Sequence, residues 1–313
     1  MDATVRAAGT RAAARAAAVA RALPSQSWWR VSACRAWLAA AALAGCSYPP
    51  LPDTVGVTPG DGPAADAGLP PGSPLLLSEV VLTPDAGEMI EIVNTSSSDV
   101  DLSTYYLSDS GNYYQLPIGA TLDPTDFIVK FRDAAVIHGH EVLTIAIATP
   151  TDFASAYSVA PTYSLRDGSM QVIAMNGTPT LTNSGEPILL FQWDGRSDLV
   201  RDVDIMLVGI PSGTTNALPN KSNATQDGPD ADMVASKYAV DLGTIHAQPA
   251  TPGSGVSTKR IALEDGHELH NGTGNGPSGD DETSEDTAAT WDGTTANPFT
   301  APTPGQVPAA LLR

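Results

Sequence analysis

The sequence predicts an all-β body of the sandwich or barrel kind, and three observations point there. The 313 residues include 28 Gly and 26 Pro but are only 6% aromatic, a turn-rich composition unlike that of a helical bundle. From Leu75 onward the apolar residues fall in short runs separated by turn residues. No stretch reaches the roughly 18 consecutive apolar residues of a spanning helix.

The runs can be taken in order. "LLLSEVVL" (75–82) is an almost continuous apolar strand. "EMIEIVN" (88–94) alternates, with Ile90 and Ile92 on one face and Met89, Glu91 and Val93 on the other. "DLSTYYLSD" (101–109), "DFIVKF" (126–131), "EVLTIAIA" (141–148) and "QVIAM" (171–175) read as four more strands. "PILLFQW" (187–193) and "DLVRDVDIMLVG" (198–209) flank "DGRS", whose Asp-Gly marks a turn. One stretch, "TPTDFASAYSVAP" (149–161), carries Phe153 and Tyr157 four apart and reads as a short helix.

The first 46 residues have a different character. Leu43-Ala44-Gly45-Cys46 has the form of a bacterial lipoprotein cleavage box, with small residues beside a cut between Gly45 and Cys46. An apolar core, Ala36–Leu43, precedes it, and Arg30 and Arg35 form the positive flank. Residues 1–45 are therefore expected to be a lipoprotein signal peptide, with a start codon either at Met1 or further in, near Val31. Cys46 is the expected lipid attachment site, carrying acyl chains such as palmitate. Two or three chains make release slow, whereas one myristoyl chain holds only marginally. Ser47, rather than Asp, favours the outer membrane or cell surface under enterobacterial sorting rules. Residues 46–74 hold eight Pro and five Gly after the cysteine and read as a disordered tether. Fully extended, it reaches roughly 85 Å. The body spans 75–308, and 309–313 form a C-terminal tail.

Charge narrows the partners. Six of the 16 basic residues but one of the 35 acidic ones precede Cys46, leaving 10 against 34 beyond it, a net of −24. Such a surface repels nucleic acid, so no nucleic-acid partner is expected. The two cysteines, Cys34 and Cys46, both precede the body, which excludes a disulfide framework, a thiolate metal site and a cysteine nucleophile there.

Several stretches of the body together resemble a lamin-tail domain. "LLLSEVVLTPDAGEMIEIVNTSSSDVDLSTYYLSDS" is similar to its opening through Ser78-Glu79, Glu88–Asn94, Asp101-Leu102 and Ser108-Asp109. "LTNSGEPILLFQWDG" (181–195) resembles its L-x-N-x-G-[DE] strand, "STKRI" (257–261) its Ser-x-x-Arg step, and residues 286–308 its Asp…Trp…Thr-Pro-Gly ending. Tyr105 and Tyr106 stand where the family often has Gly-Trp, and 130–180 and 210–256 are longer than a minimal domain needs. The resemblance implies an immunoglobulin-like β-sandwich with long loop insertions, acting by contact; it implies no catalytic residues.

The remaining motifs carry little chemistry. "DGPDAD" places Asp227, Asp230 and Asp232 in a Gly/Pro loop, making them candidate Ca²⁺ ligands, although the EF-hand pattern is incomplete. The alternative is an acidic surface loop. "GDDETSED" (279–286) reads as a solvated turn with Asp280, Asp281, Glu282, Glu285 and Asp286. His138 and His140 form one histidine pair. His267 and His270 fall one spacer residue short of an HExxH pattern, and their Gly-rich flanks argue against a helix. Glu88 and Glu91, three apart on a strand, point to opposite faces and make no acid–base couple. The expectation is a membrane-anchored, non-enzymatic binding or structural module with no obligatory cofactor and an envelope or extracellular protein or glycan ligand. A hydrolase or hydrolase accessory with a loop-borne site, and a Ca²⁺-dependent adhesion module, are the alternatives.

Overall fold

The computed structural model describes residues 73–209, 219–240, 248, 250–270 and 274–313. The expected signal peptide, the expected cleavage between Gly45 and Cys46 and the expected tether up to residue 72 lie outside the described residues.

In chain order the strands are β1 (Leu75–Val81), β2 (Met89–Asn94), β3 (Val100–Asp101), β4 (Tyr105–Ser108), β5 (Phe127–Lys130), β6 (Val136–Ile137) and β7 (Val142–Ala146). Helix α1 (Pro150–Tyr157) follows, then β8 (Tyr163–Ser164), β9 (Gln171–Met175), β10 (Gly185–Gln192) and β11 (Arg201–Gly209). The last third holds β12 (Thr225–Gln226), β13 (Ser236–Lys237), β14 (Thr258–Lys259), β15 (Leu269–His270), β16 (Asp280–Asp281) and the one-turn α2 (Thr287–Thr290).

These strands make an immunoglobulin-like sandwich of two five-stranded sheets, β14-β1-β2-β7-β8 and β11-β10-β4-β5-β9. Pairing is antiparallel except between β7 and β8. The inward positions of both sheets, among them Leu75, Leu77, Ile90, Ile92, Leu107, Phe127, Val129, Ile188 and Leu190, form one core. Each such side chain contributes about 1.5–3 kcal/mol by leaving water.

Both sheets are also covered on the outside, which explains why β1 and β10 read as continuous apolar runs rather than alternating ones. Outward Tyr106, Ile128, Leu189, Phe191 and Ile205 pack under Tyr113 and Tyr238 from the loops. On the other sheet, α1 covers Val81, Met89 and Ala146 with Phe153. Its boundaries follow from local chemistry. The Thr149 hydroxyl accepts from Asp152 N at 3.2 Å, Pro150 stands in the first turn, and Ser158 ends the helix in the left-handed region. Tyr157, one turn beyond Phe153, donates to Gly87 O at 2.5 Å and anchors the helix.

Three differences from the sequence reading follow, the first with a local cause. The run 101–109 is two strands, because Asp101 Oδ1 accepts from Ser103 N at 2.8 Å and turns the chain. The acidic segment 279–286 is not solvated: Asp281, Glu282, Thr283, Ser284 and Glu285 are all buried. The buried guanidinium of Arg260, which donates to Glu285, draws it in. The final residues 309–313, expected to be a tail, pack on the sandwich: Leu311 is buried and Arg313 N donates to Thr95 O at 2.7 Å.

Candidate functional site

Buried acids are the unusual chemical feature of this body, and they fall into two groups. In the first, each acid or amide holds backbone groups, some in a remote segment and some in an adjacent turn. Glu79 on β1 and Glu91 on β2 are direct cross-strand neighbours. Glu79 accepts from Thr303 N at 3.0 Å and Thr303 Oγ1 at 3.1 Å, and Glu91 accepts from Gly305 N at 2.5 Å. Together they clamp Thr303-Pro304-Gly305. Burial lifts the pKa of both carboxyls, that of Glu91 the further, with the neighbouring Glu79 adding to it. Asp109 accepts from Phe127 N at 2.7 Å, and Glu186 accepts from Thr182 N at 2.6 Å. Asn94 donates to Ser98 O and His138 O at 2.7 and 3.1 Å while Ser96 N and Oγ donate to its Oδ1, fixing the turn after β2.

The second group surrounds a cavity of about 420 Å³. Its walls include Leu76 of β1, Val203 of β11, the turn at Thr95-Ser96, and Glu264, Glu268, His270, Asp280 and Glu282. The arrangement starts with a bulge. The register of β10 and β11 shifts between Leu190 and Phe191, so Val203, Met206 and Val208 face the core while Ile205 and Leu207 face out. The bulge adds Val203 to the core face; Asp204, in phase with Met206 and Val208, points the same way and accepts from Leu77 N at 2.6 Å across the sandwich.

Arg260, just after β14, is fully buried beside it. Its Nε donates to Leu77 O at 2.8 Å, Nη2 donates to both Asp204 oxygens at 2.9 and 2.8 Å, and Nη1 donates to Glu285 Oε1 at 2.5 Å. Glu264 Oε1 lies 3.2 Å from Nη2, and the guanidinium stacks on Trp291 at 4.7 Å. Burial works against the Arg260 charge, but Asp204, Glu285 and Glu264 outweigh it and raise its pKa.

One guanidinium therefore meets three carboxyls, Asp204, Glu264 and Glu285, with Glu268 and Glu282 in the same acidic group. Burial lifts Asp204 to about 6 against the pull of Arg260. Burial together with Asp280 and other acids lifts Glu268 to about 8, and Glu264 and Glu282 rise well above the ordinary range for the same reason. Oxygens of Asp204, Glu264 and Glu282 lie within 4.8 Å of one another. Gly274 and Gly276 permit this packing; a Cβ on Gly276 would stand 2.2 Å from Glu282 Oε1.

The sequence profile of the Lamin Tail Domain family matches residues 70–227, just over half of the 313 residues. The chain belongs to the lamin tail domain family. No curated protein matches it. Within this lamin-tail body the motif residues are chiefly architectural: Glu79, Glu91, Asn94, Asp109 and Glu186 hold backbone in place. The matched span stops short of β14, Arg260 and Trp291, which complete the first sheet and the acidic cavity.

Other sequence candidates disperse. Asp227 and Asp230 come together with Asp198, but Asp232 does not join them. Asp198 accepts from Gly228 N at 2.6 Å and Ser236 N at 2.9 Å, so it staples this loop. His138 pairs with Asp99 at 3.1 Å, and His140 Nε2 meets Arg313 O at 2.9 Å. His270 lies on a strand between Glu268 and Asp280, apart from His267. Glu88 sits among Asp85, Arg166 and Glu186, away from the clamp that holds Glu91. Sequence reasoning missed Asp204, Glu264 and Arg260 as a unit. The only signal was "STKRI" itself, which marks a motif position but not its burial.

Proposed function

We propose that the protein is a non-enzymatic contact module displayed on a bacterial envelope, held by acyl chains on Cys46 and spaced from the bilayer by residues 46–74. The observation that supports contact as its mode of action is the lamin-tail sandwich itself: its motif acids hold backbone N–H groups and so brace the body. The anchor rests on the order of basic flank, apolar core, small-residue box and cysteine before the Pro/Gly spacer. Among the described residues no helix is long and apolar enough to cross a membrane. The outward surface then meets an envelope or extracellular protein or glycan.

Metabolic labelling with an alkyne-bearing palmitate analogue tests the anchor. The wild-type chain is expected to take the label and sediment with membranes, and Cys46→Ala to lose the label and partition into the soluble fraction. An unlabelled, freely soluble wild-type protein overturns the anchoring. Turnover of glycan or peptide substrates by the lipid-free body, abolished by a single side-chain substitution, overturns the non-enzymatic reading.

A further inference from the structure

Among the described residues the acids lining the cavity, Glu264, Asp265, Glu268, Asp280 and Glu282, outnumber its basic residues, His270 and Arg313, and Arg313 is paired with Asp265. Arg260 is already committed, bidentate to Asp204 and paired with Glu285. Glu282 is 4% exposed, lines the cavity and accepts no hydrogen bond from any described residue. The Glu268 side chain is also 4% exposed; its Oε1 pairs with His270, while its Oε2 is buried without a hydrogen-bond partner. An unpartnered carboxylate oxygen in such a place costs several kcal/mol of lost solvation unless a proton or cation meets it.

We propose that a divalent cation of the Ca²⁺ class binds at the inner wall of this cavity, where Glu264 and Glu282 line it and Asp204 lies close to both, through the carboxylates of these three residues, with Glu268 beside them on the wall. Three oxygens of the first three residues lie within 4.8 Å of one another. Oxygens that share a Ca²⁺ at about 2.4 Å are at most about 4.8 Å apart, so the triad has the span of one coordination sphere. The donors are all carboxylate oxygens, which select a hard cation over zinc. The nearest imidazole, His270, is engaged by Glu268 and Asp280. The volume of about 420 Å³ leaves room for the waters that a six- to eight-coordinate ion retains.

This site is separate from the Asp227–Asp230 loop and does not depend on lipidation. It joins the C-terminal segment 264–282 to β11, so the ion would brace the part of the body that the family match does not cover.

The test uses the full-length chain, stripped with EDTA, in thermal unfolding and titration calorimetry with CaCl₂, MgCl₂ and ZnCl₂ in separate arms. CaCl₂ is expected to release heat and raise Tm. Glu282→Gln is expected to raise the Tm of the stripped protein, because a repelling charge is gone, and to weaken Ca²⁺ at least tenfold. Glu268→Gln is a second variant should the first misfold, with the same expected direction and a smaller loss. An Asp227→Asn/Asp230→Asn variant is expected to keep the full response. The proposal is overturned by the absence of heat and Tm shift up to about 10 mM CaCl₂, above the weakest extracellular Ca²⁺ modules. A response kept by both glutamine variants, a response lost in the loop variant, or one given by ZnCl₂ alone overturns it equally.

Discussion

The clamp at Glu79 and Glu91 and the cavity at Glu264, Glu268 and Glu282 bury acids with opposite logic. In the clamp every acid has a named backbone donor, and the segment it holds, Thr303 to Gly305, lies more than two hundred residues away in the chain. Around the cavity the acids face one another, and among the described residues Arg260 meets Asp204, Glu264 and Glu285, His270 meets Glu268 and Asp280, and Arg313 meets Asp265. The clamp ties each acid to backbone donors, with Glu91 Oε2 alone left unpartnered; around the cavity the acids outnumber the cations among the described residues. Burial by itself therefore says little about an acid's role, and what it faces decides.

The contrast can be broken most sharply at Arg260. Arg260→Met leaves Asp204 and Glu285 buried without their partner and is expected to cost about 3–5 kcal/mol in denaturant unfolding at pH 7.5. A loss under about 1 kcal/mol would mean that the surrounding acids are protonated and the guanidinium is not their balance.

The pH dependence is the next largest effect and reads the acids away from the cavity. Burial, the first cause for each, lifts Glu88 to about 8 and Glu186 to about 7, against an unfolded value of about 4.3. The folded state then binds more protons than the unfolded one between those values, so stability falls as pH rises. The contribution is fully present below about pH 4.3 and is lost as pH passes through about 7 and 8. EDTA-treated protein is expected to be more stable at pH 5.5 than at pH 9 by about 2–4 kcal/mol in urea unfolding. A flat profile over that window would show that these carboxyls stay ionised at no cost.

Asn94 offers a neutral version of the clamp. Asn94→Ala removes donors to Ser98 O and His138 O and is expected to cost about 1–2 kcal/mol by the same unfolding assay. A neutral result would mean that water replaces the amide in the turn. The smallest effect is expected at the surface pair Lys130–Asp133, where Asp133 is 89% exposed. Asp133→Asn should shift stability by less than about 0.5 kcal/mol, with the shift vanishing in high salt.

Much of the sandwich was legible because strand runs report their own burial. "QVIAM" became β9 with its expected bounds, and "PILLFQW" lies almost wholly within β10. Continuous apolarity in 187–191 marked a strand covered on both faces, and the structure supplies the cover in Tyr113, Tyr238 and their loops. The helix was legible too, since Phe153 and Tyr157 share a face one turn apart and Thr149-Pro150 caps it. The clamp was half legible: the motif acids stood out, but their acceptor roles toward Thr303 and Gly305 did not.

The cavity was not legible, and "GDDETSED" shows why. Acids in a Gly-rich stretch look solvated in any local window, because no local feature announces a buried guanidinium at Arg260. Alternation with Met206 and Val208 puts Asp204 on the core face, but nothing local in 201–209 says which cation meets it there. Apolar spacing, turn residues and caps act over a few residues, so the order of amino acids determined the strands, the helix, the negative surface and the lipoprotein-like leader. The pairing of distant charges depends on which loops the two sheets bring together, and only the folded arrangement decided that Arg260, Asp204, Glu264, Glu282 and Glu285 would meet.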